Sequence, residues 1–290
     1  MAKQEPSTSR PRVVTTKTVL RMKETGEKIA MPTAYDYLVA KYLDQVGIDV
    51  ILVGDSLGNV VQGHETTLPV TVDDMMYHAK AVKRAVKNAL IVVDMPFMSY
   101  QTSVDDAVRN CGRVMKEVGV GAVKLEGGEY IAEIVRHLVK IGIPVMGHLG
   151  LTPQSVSALG GFRVQGKDAA RAKKIVDDAK TLENAGATSI LFEMIPDRLQ
   201  QIITERANIP IISLGSGPYA HGQLLIFHDM FGLYPRFKPK MAKVFGNAGE
   251  VILNGLKQYV AEVTGGQFPQ SDNWFGMKDD EFEELKAMLD

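Results

Sequence analysis

Val50-Ile51-Leu52-Val53-Gly54-Asp55 is a short apolar run that ends on an ionisable residue, and four later runs are built the same way. Leu90-Ile91-Val92-Val93 leads into Asp94, and Ala122-Val123-Lys124-Leu125 into Glu126. Pro144-Val145-Met146-Gly147 leads into His148, and Ser189-Ile190-Leu191-Phe192 into Glu193. Helix-length segments separate the runs, so strands alternate with helices and the sheet is parallel. In closed (β/α)8 barrels the carboxyl ends of the strands carry the chemistry. Asp55, Asp94 and Glu126, from neighbouring strands and without a cysteine among them, form a hard oxygen-donor set suited to Mg2+. A single Asp after a strand more often caps a helix or a turn. Five ionisable strand ends in succession favour chemistry, because carboxylates crowded at one barrel mouth call for a cation.

Working outward, strands are expected at 29–32, 50–53, 90–93, 122–125, 144–146, 189–192, 210–213 and 224–227. Helices are expected at 37–46, 72–87, 104–118, 130–141, 168–185, 197–206 and 247–263, with long loops at 56–71 and 148–167. Gly47, Gly119, Gly142 and Gly186 fall between a helix and the next strand, where left-handed backbone is favoured. A helix over 16–24 would cap the lower end of the barrel, and one over 279–289 is an addition at the C-terminus. The fold class is therefore α/β, a single (β/α)8 TIM barrel. Residues 1–15 are expected to form a flexible N-terminal tail, and 16–290 the barrel with its C-terminal helical extension.

Of the 290 residues, 45% are hydrophobic and 23% charged, which suits a soluble protein with a sizeable core. A net charge of -1 gives no field toward nucleic acid or an anionic membrane. No apolar run reaches the ~20 residues that span a bilayer, and the first twelve residues lack the apolar stretch of a secretory signal. A cytoplasmic enzyme with small-molecule partners, no nucleic acid and no membrane is expected. The one cysteine, Cys111, lies within the helix expected over 104–118 and reads as a buried, inert thiol. Dinucleotide, P-loop, zincin and serine-hydrolase motifs are absent.

Lys124 and Glu126 are two apart on one strand and share a face. Lys124 then points into the barrel one layer below Glu126, where a buried ammonium needs an anion such as a substrate carboxylate or an enolate oxygen. His148 is balanced between a structural hydrogen bond and a part in the chemistry. Glu193 lies two strands beyond Glu126, across the mouth, where a general base would stand. Leu214-Gly215-Ser216-Gly217-Pro218 follows strand 7, a place where many barrels bind phosphate.

Longer blocks go further. Thr33-Ala34-Tyr35-Asp36, Leu52-Val53-Gly54-Asp55-Ser56-Leu57-Gly58, Asp94-Met95-Pro96-Phe97, Val123-Lys124-Leu125-Glu126-Gly127-Gly128 and Pro144-Val145-Met146-Gly147-His148-Leu149-Gly150-Leu151-Thr152-Pro153-Gln154 closely resemble the ketopantoate hydroxymethyltransferase family. The resemblance covers about residues 16–285. It implies a barrel of the phosphoenolpyruvate mutase/isocitrate lyase-like type, with Mg2+ at Asp55, Asp94 and Glu126. It implies a keto-acid held by Ser56 and Lys124, with Asp55, Asp94 and His148 also touching substrate, and Glu193 of Glu193-Met194-Ile195-Pro196 as the base. The implied reaction moves a hydroxymethyl group from 5,10-methylenetetrahydrofolate to 3-methyl-2-oxobutanoate through a Mg-stabilised enolate. The product is 2-dehydropantoate, for pantothenate biosynthesis, and the implied assembly is a homodecamer.

The family pattern Gly-Ile-Gly-Ala-Gly, then Asp-Gly-Gln, is here Ser213-Leu214-Gly215-Ser216-Gly217 and His221-Gly222-Gln223. A Pro-Lys-Phe-Val segment is replaced by Pro235-Arg236-Phe237-Lys238-Pro239. These departures are expected on a rim facing the folate or a neighbouring subunit, away from the metal and base positions. One rival reading is a Mg-dependent carbon–carbon lyase or mutase on a small 2-oxo acid. That chemistry would need a cysteine or another acid on an active-site loop. Another is a non-catalytic paralogue that binds keto-acids.

Overall fold

Inward-facing side chains alternate with outward-facing ones along eight short strands, and that alternation carries the acids to one end of the barrel. In the computed structural model, which describes residues 13–235 and 239–290, the strands are β1 (Ile29–Pro32), β2 (Val50–Val53), β3 (Leu90–Asp94) and β4 (Ala122–Glu126). They continue with β5 (Val145–Gly150), β6 (Ser189–Glu193), β7 (Ile211–Leu214) and β8 (Gly222–Leu225). All pair in parallel in the order β1-β8-β7-β6-β5-β4-β3-β2. A bridge between Thr33 and Leu52 nearly closes the ring. This is the (β/α)8 barrel expected from the strand–helix rhythm.

Two apolar clusters divide along the strand alternation. Val50, Leu52, Leu90, Val92, Ala122, Met146, Leu191 and Ile212 fill the barrel interior, while Ile51, Val53, Val93, Leu125 and Phe192 pack outward against the helices. Burial of such side chains is the main force closing the barrel. The helix Thr16–Thr25 sends Val19 and Met22 into the interior cluster and so plugs the lower end. Its N-cap is Thr15; of the tail expected over 1–15, residues 1–12 lie outside the described residues. Ladder alternation then places Lys124 above Ala122 and Glu126 above Lys124, as the two-residue spacing predicts.

Differences from the sequence reading have local causes. β8 begins at Gly222 and ends at Leu225, so Ile226 and Phe227, expected within the strand, leave the sheet. Four-residue β1 offers partners only as far as Pro32, and Phe227 N–H turns to Thr33 Oγ1 at 3.0 Å, opening the short helix Phe227–Met230. The helix expected over 104–118 is α-helical to Arg113 and finishes as a π turn over Val114–Val118. Each long loop folds a short helix of its own, Leu57–Val60 and Val156–Leu159. Helix Ala248–Thr264 stands clear of the barrel, with Val251, Ile252, Leu256 and Val260 exposed. Among the described residues no helix is long and apolar enough to cross a membrane.

Candidate active site

β2 stops one residue before its acid, and Gly54 takes the inward position that the strand alternation would assign next. A Cβ at Gly54 would stand 2.8 Å from Ser56 Oγ and 3.4 Å from Asp94 Oδ2, so only glycine leaves room for the turn. Asp55 N–H then donates to Asp94 Oδ2 at 3.0 Å, locking the ends of β2 and β3 together. Ser56 Oγ lies 2.8 Å from the hydroxyl of Tyr35.

Lys124 sits in the layer below, 3% exposed, as its spacing from Glu126 predicts. Its partners are protein groups: Asp94 Oδ1 at 2.8 Å, His148 Nδ1 at 3.0 Å and Glu126 Oε1 at 3.7 Å. Burial works against its charge, but Asp94, Glu126 and Asp55 outweigh burial and hold the ammonium above its ordinary pKa. Burial, reinforced by Lys124, lowers His148 to about 4, so the imidazole is neutral. Its Nδ1 lies 3.0 Å from Lys124 Nζ and 3.2 Å from Glu126 Oε1, and its Nε2 faces Glu193 Oε2 at 3.4 Å. His148 thus stands between Glu126 and Glu193, linking the acid cluster to the carboxylate across the mouth.

The three clustered carboxylates are buried, and burial raises the proton affinity of each, Asp55 to about 6 and Asp94 to about 7. Three carboxylates faced by one ammonium are short of positive charge, the condition a divalent cation relieves. Among the described residues no group of three or more His, Cys, Asp or Glu side chains is arranged to hold a metal ion. Mg2+ does not require such a group, since it binds through one or two carboxylates and completes its shell with water and substrate. The donor set therefore fits Mg2+, and it does not fit a zinc-type site.

Two residues at the centre of the cluster were not singled out in the sequence. Gln154 sends its side-chain amide to Asp55 Oδ2 and Met95 O, both at 2.9 Å, and its backbone N–H to Glu126 Oε2 at 3.0 Å. Tyr100 bonds the Glu126 backbone through its hydroxyl at 3.0 Å and reaches Gln154 Oε1 at 2.9 Å. Gln154 closes the longest block quoted above, and a polar residue inside such a block was the available signal. Cys111 is buried away from the cavity and its thiol is pushed up to about 12, so it is inert as expected.

The departures from the family pattern do not form a rim. Ser213 and Ser216 are fully buried. His221 lies at the opposite, lower end, where its Nδ1 accepts the N–H of Ile211, the first residue of β7. The reason is geometric: β7 and β8 are joined by a very short link, so residues after Gly217 descend at once to the start of β8. Within Pro235–Pro239, residues 236–238 lie outside the described residues. The glycines after β7 have packing reasons: a Cβ at Gly215 would run into Met241, and one at Gly217 into Asp197.

Asp55, Ser56, Asp94, Lys124, Glu126, His148 and Glu193 all line one cavity of about 1380 Å3. Among solved structures the fold is similar to phosphonopyruvate hydrolase, described in complex with oxalate and Mg++ (TM-score 0.60, 12% identity, covering 95% of this chain and 96% of that one). It is also similar to 2,3-dimethylmalate lyase, described as a PEP mutase/isocitrate lyase superfamily member (TM-score 0.57, 16% identity, 96% of each chain). At such identities the likeness is one of fold, an α/β barrel of eight parallel strands. The sequence pattern of ketopantoate hydroxymethyltransferase matches residues 13–271. A 3-methyl-2-oxobutanoate hydroxymethyltransferase of Clostridium botulinum (strain 657 / Type Ba4) is 54% identical over 271 residues, covering 93% of this chain and 98% of that protein. One from Clostridium kluyveri is 56% identical over 262 residues, covering 90% and 94%. The chain belongs to the ketopantoate hydroxymethyltransferase family.

Proposed function

We propose that this chain transfers a hydroxymethyl group from 5,10-methylenetetrahydrofolate to 3-methyl-2-oxobutanoate, giving 2-dehydropantoate. The observation that carries the reading is Glu193, buried, with its proton affinity raised by burial, facing the cavity across from the acid cluster. A carboxylate in that setting is suited to remove the proton from C3 of the keto-acid. When bound, Mg2+ would be held by Asp55 and Asp94 with Glu126 close by, and would supply the positive charge that acidifies C3. The Lys124 ammonium offsets negative charge as it develops on the keto oxygen. Ser56, at the edge of the cavity, orients the substrate carboxylate. Neutral His148, with Nε2 3.4 Å from Glu193 Oε2, lies beside the base and within reach of the substrate. Water adds to the methylene carbon and the bonds to tetrahydrofolate break, releasing the one-carbon unit as formaldehyde; the deprotonated C3 attacks its carbonyl carbon, and the oxygen that came from water takes up a proton and becomes the hydroxyl.

The cavity is larger than the roughly 300–1,000 Å3 of an ordinary small-molecule site, which suits a keto-acid and a folate together. A rival lyase or mutase that uses a loop thiol is disfavoured, because the one cysteine, Cys111, is buried in a helix. We also read the chain as a subunit of a homo-oligomer, because helix Ala248–Thr264 leaves its apolar residues exposed, and the family resemblance implies a homodecamer.

The test is incubation of the protein with Mg2+ and 3-methyl-2-oxobutanoate in deuterated water, followed by addition of 5,10-methylenetetrahydrofolate. Loss of the C3 proton signal and then formation of 2-dehydropantoate are expected. Tight keto-acid binding without exchange would overturn the assignment in favour of a non-catalytic binder.

A further inference from the structure

Glu193 ends β6, and the residue after it, Met194, has φ +48°, a left-handed conformation that side chains disfavour. The backbone around it is held from several directions. Leu151 N–H donates to Glu193 O at 2.8 Å, Met194 N–H to Leu214 O at 2.9 Å, and Gln165 N–H to Met194 O at 2.9 Å. The next amide, Ile195 N–H, donates to Ser216 Oγ at 3.2 Å. That same hydroxyl donates to Phe192 O at 3.0 Å. One buried oxygen therefore joins the residues on either side of the Glu193–Met194 pair.

Ser216 is itself fixed by Ser213, whose Oγ accepts Ser216 N–H at 3.2 Å and donates to Gly217 O at 3.1 Å. These are two of the positions where the chain departs from the Gly-Ile-Gly-Ala-Gly pattern. Gly and Ala in that pattern carry no hydroxyl; here both positions do.

We propose that Ser213 and Ser216 form a two-hydroxyl clasp that positions Glu193 for proton abstraction. They are positioning residues, since neither touches the reacting atoms, and the proposal rests on the reading of Glu193 as the base. Without the Ser216 hydroxyl the buried Ile195 N–H loses its partner, and the left-handed Met194 relaxes toward an easier conformation. Because Glu193 is the residue next to Met194, that relaxation swings its carboxylate off line. Misplacement by about 1 Å costs up to about 100-fold in rate.

The experiment measures C3 deuterium exchange of 3-methyl-2-oxobutanoate with Mg2+ for the unaltered protein and for Glu193→Gln, Ser216→Ala, Ser216→Thr and Ser213→Gly. Each is assayed well below its melting temperature. For Ser216→Ala we expect kcat for exchange to fall roughly 10- to 100-fold, with KM for the keto-acid nearly unchanged. Ser216→Thr, which keeps the hydroxyl, restores most of the rate. Unaltered exchange in Ser216→Ala, with or without a lower melting temperature, overturns the clasp and leaves the base assignment standing. No exchange by the unaltered protein, or full exchange by Glu193→Gln, overturns the base assignment and the clasp with it. If Ser216→Ala does not fold, Ser213→Gly carries the test: a slowed exchange supports the clasp, and an unaltered rate refutes it.

Discussion

The side-chain amide of Gln154 donates to Asp55 Oδ2 at 2.9 Å, although 99 residues of chain separate the two. The same residue holds Met95 O and Glu126 Oε2, so it ties the ends of β2, β3 and β4 to one another. Gln154→Ala should therefore loosen the carboxylates proposed to hold Mg2+ without removing any of them. Loss of a partner of this kind typically weakens metal binding or activity by about 10–100-fold. Calorimetric titration with Mg2+ measures it directly, and wild-type affinity in the variant would refute the role.

Glu193→Gln keeps the shape of the side chain and removes the proton acceptor. Exchange at C3 should fall by about 10²–10⁴-fold with keto-acid binding nearly intact. As the proposed base, Glu193 works only when ionised, and burial raises its proton affinity. The exchange rate should thus drop on the acid side at a pH above the ordinary Glu value of about 4.3. A profile that stays flat down to that value would argue against Glu193.

Burial raises Asp55 to about 6 and Asp94 to about 7. A carboxylate whose folded pKa is raised stabilises the fold in its protonated form, and that contribution fades as pH rises. Here the fading runs from about pH 4, the unfolded Asp value, to about 7, the Asp94 value. Mg2+ held as proposed would compensate the ionised pair, so it should raise the melting temperature more at pH 8 than at pH 5. Asp94→Ala should stay folded, lose most of this Mg2+ effect and lose metal-dependent activity. An equal Mg2+ effect at both pH values would count against the metal assignment.

Helix Ala248–Thr264 exposes Val251, Ile252, Leu256 and Val260, which a monomer would leave in water. Light scattering at micromolar concentration should report a closed assembly of about ten chains. Leu256→Glu should reduce its size while leaving the barrel folded. A monomeric wild-type protein would refute the oligomer.

Strands β2, β3, β4 and β6 were legible because each is a short apolar run ending on an acid, and strand alternation then dictates which side chains point inward. Lys124 under Glu126 followed from that rule alone. Gln154 did not, since its place depends on how the loop after β5 folds back over three strands, and no local period encodes that path. The end of β8 was missed because Ile226 and Phe227 are as apolar as their predecessors. What removes them from the sheet is the shortness of β1 and the Thr33 hydroxyl, both distant in sequence. Ser213, Ser216 and His221 were noticed as departures but misplaced, since a linear sequence does not show how abruptly the link after β7 descends.

Met194 carries a side chain where glycine would sit more easily, at a cost of about 1–2 kcal/mol. A protein selected for endurance alone would have relaxed that turn. Under the proposed role of Glu193, that cost goes into holding the neighbouring carboxylate in place, robustness set against reactivity. Substitutions that make this barrel more heat-resistant are therefore best sought elsewhere, since easing this turn would harden the fold and dull the enzyme.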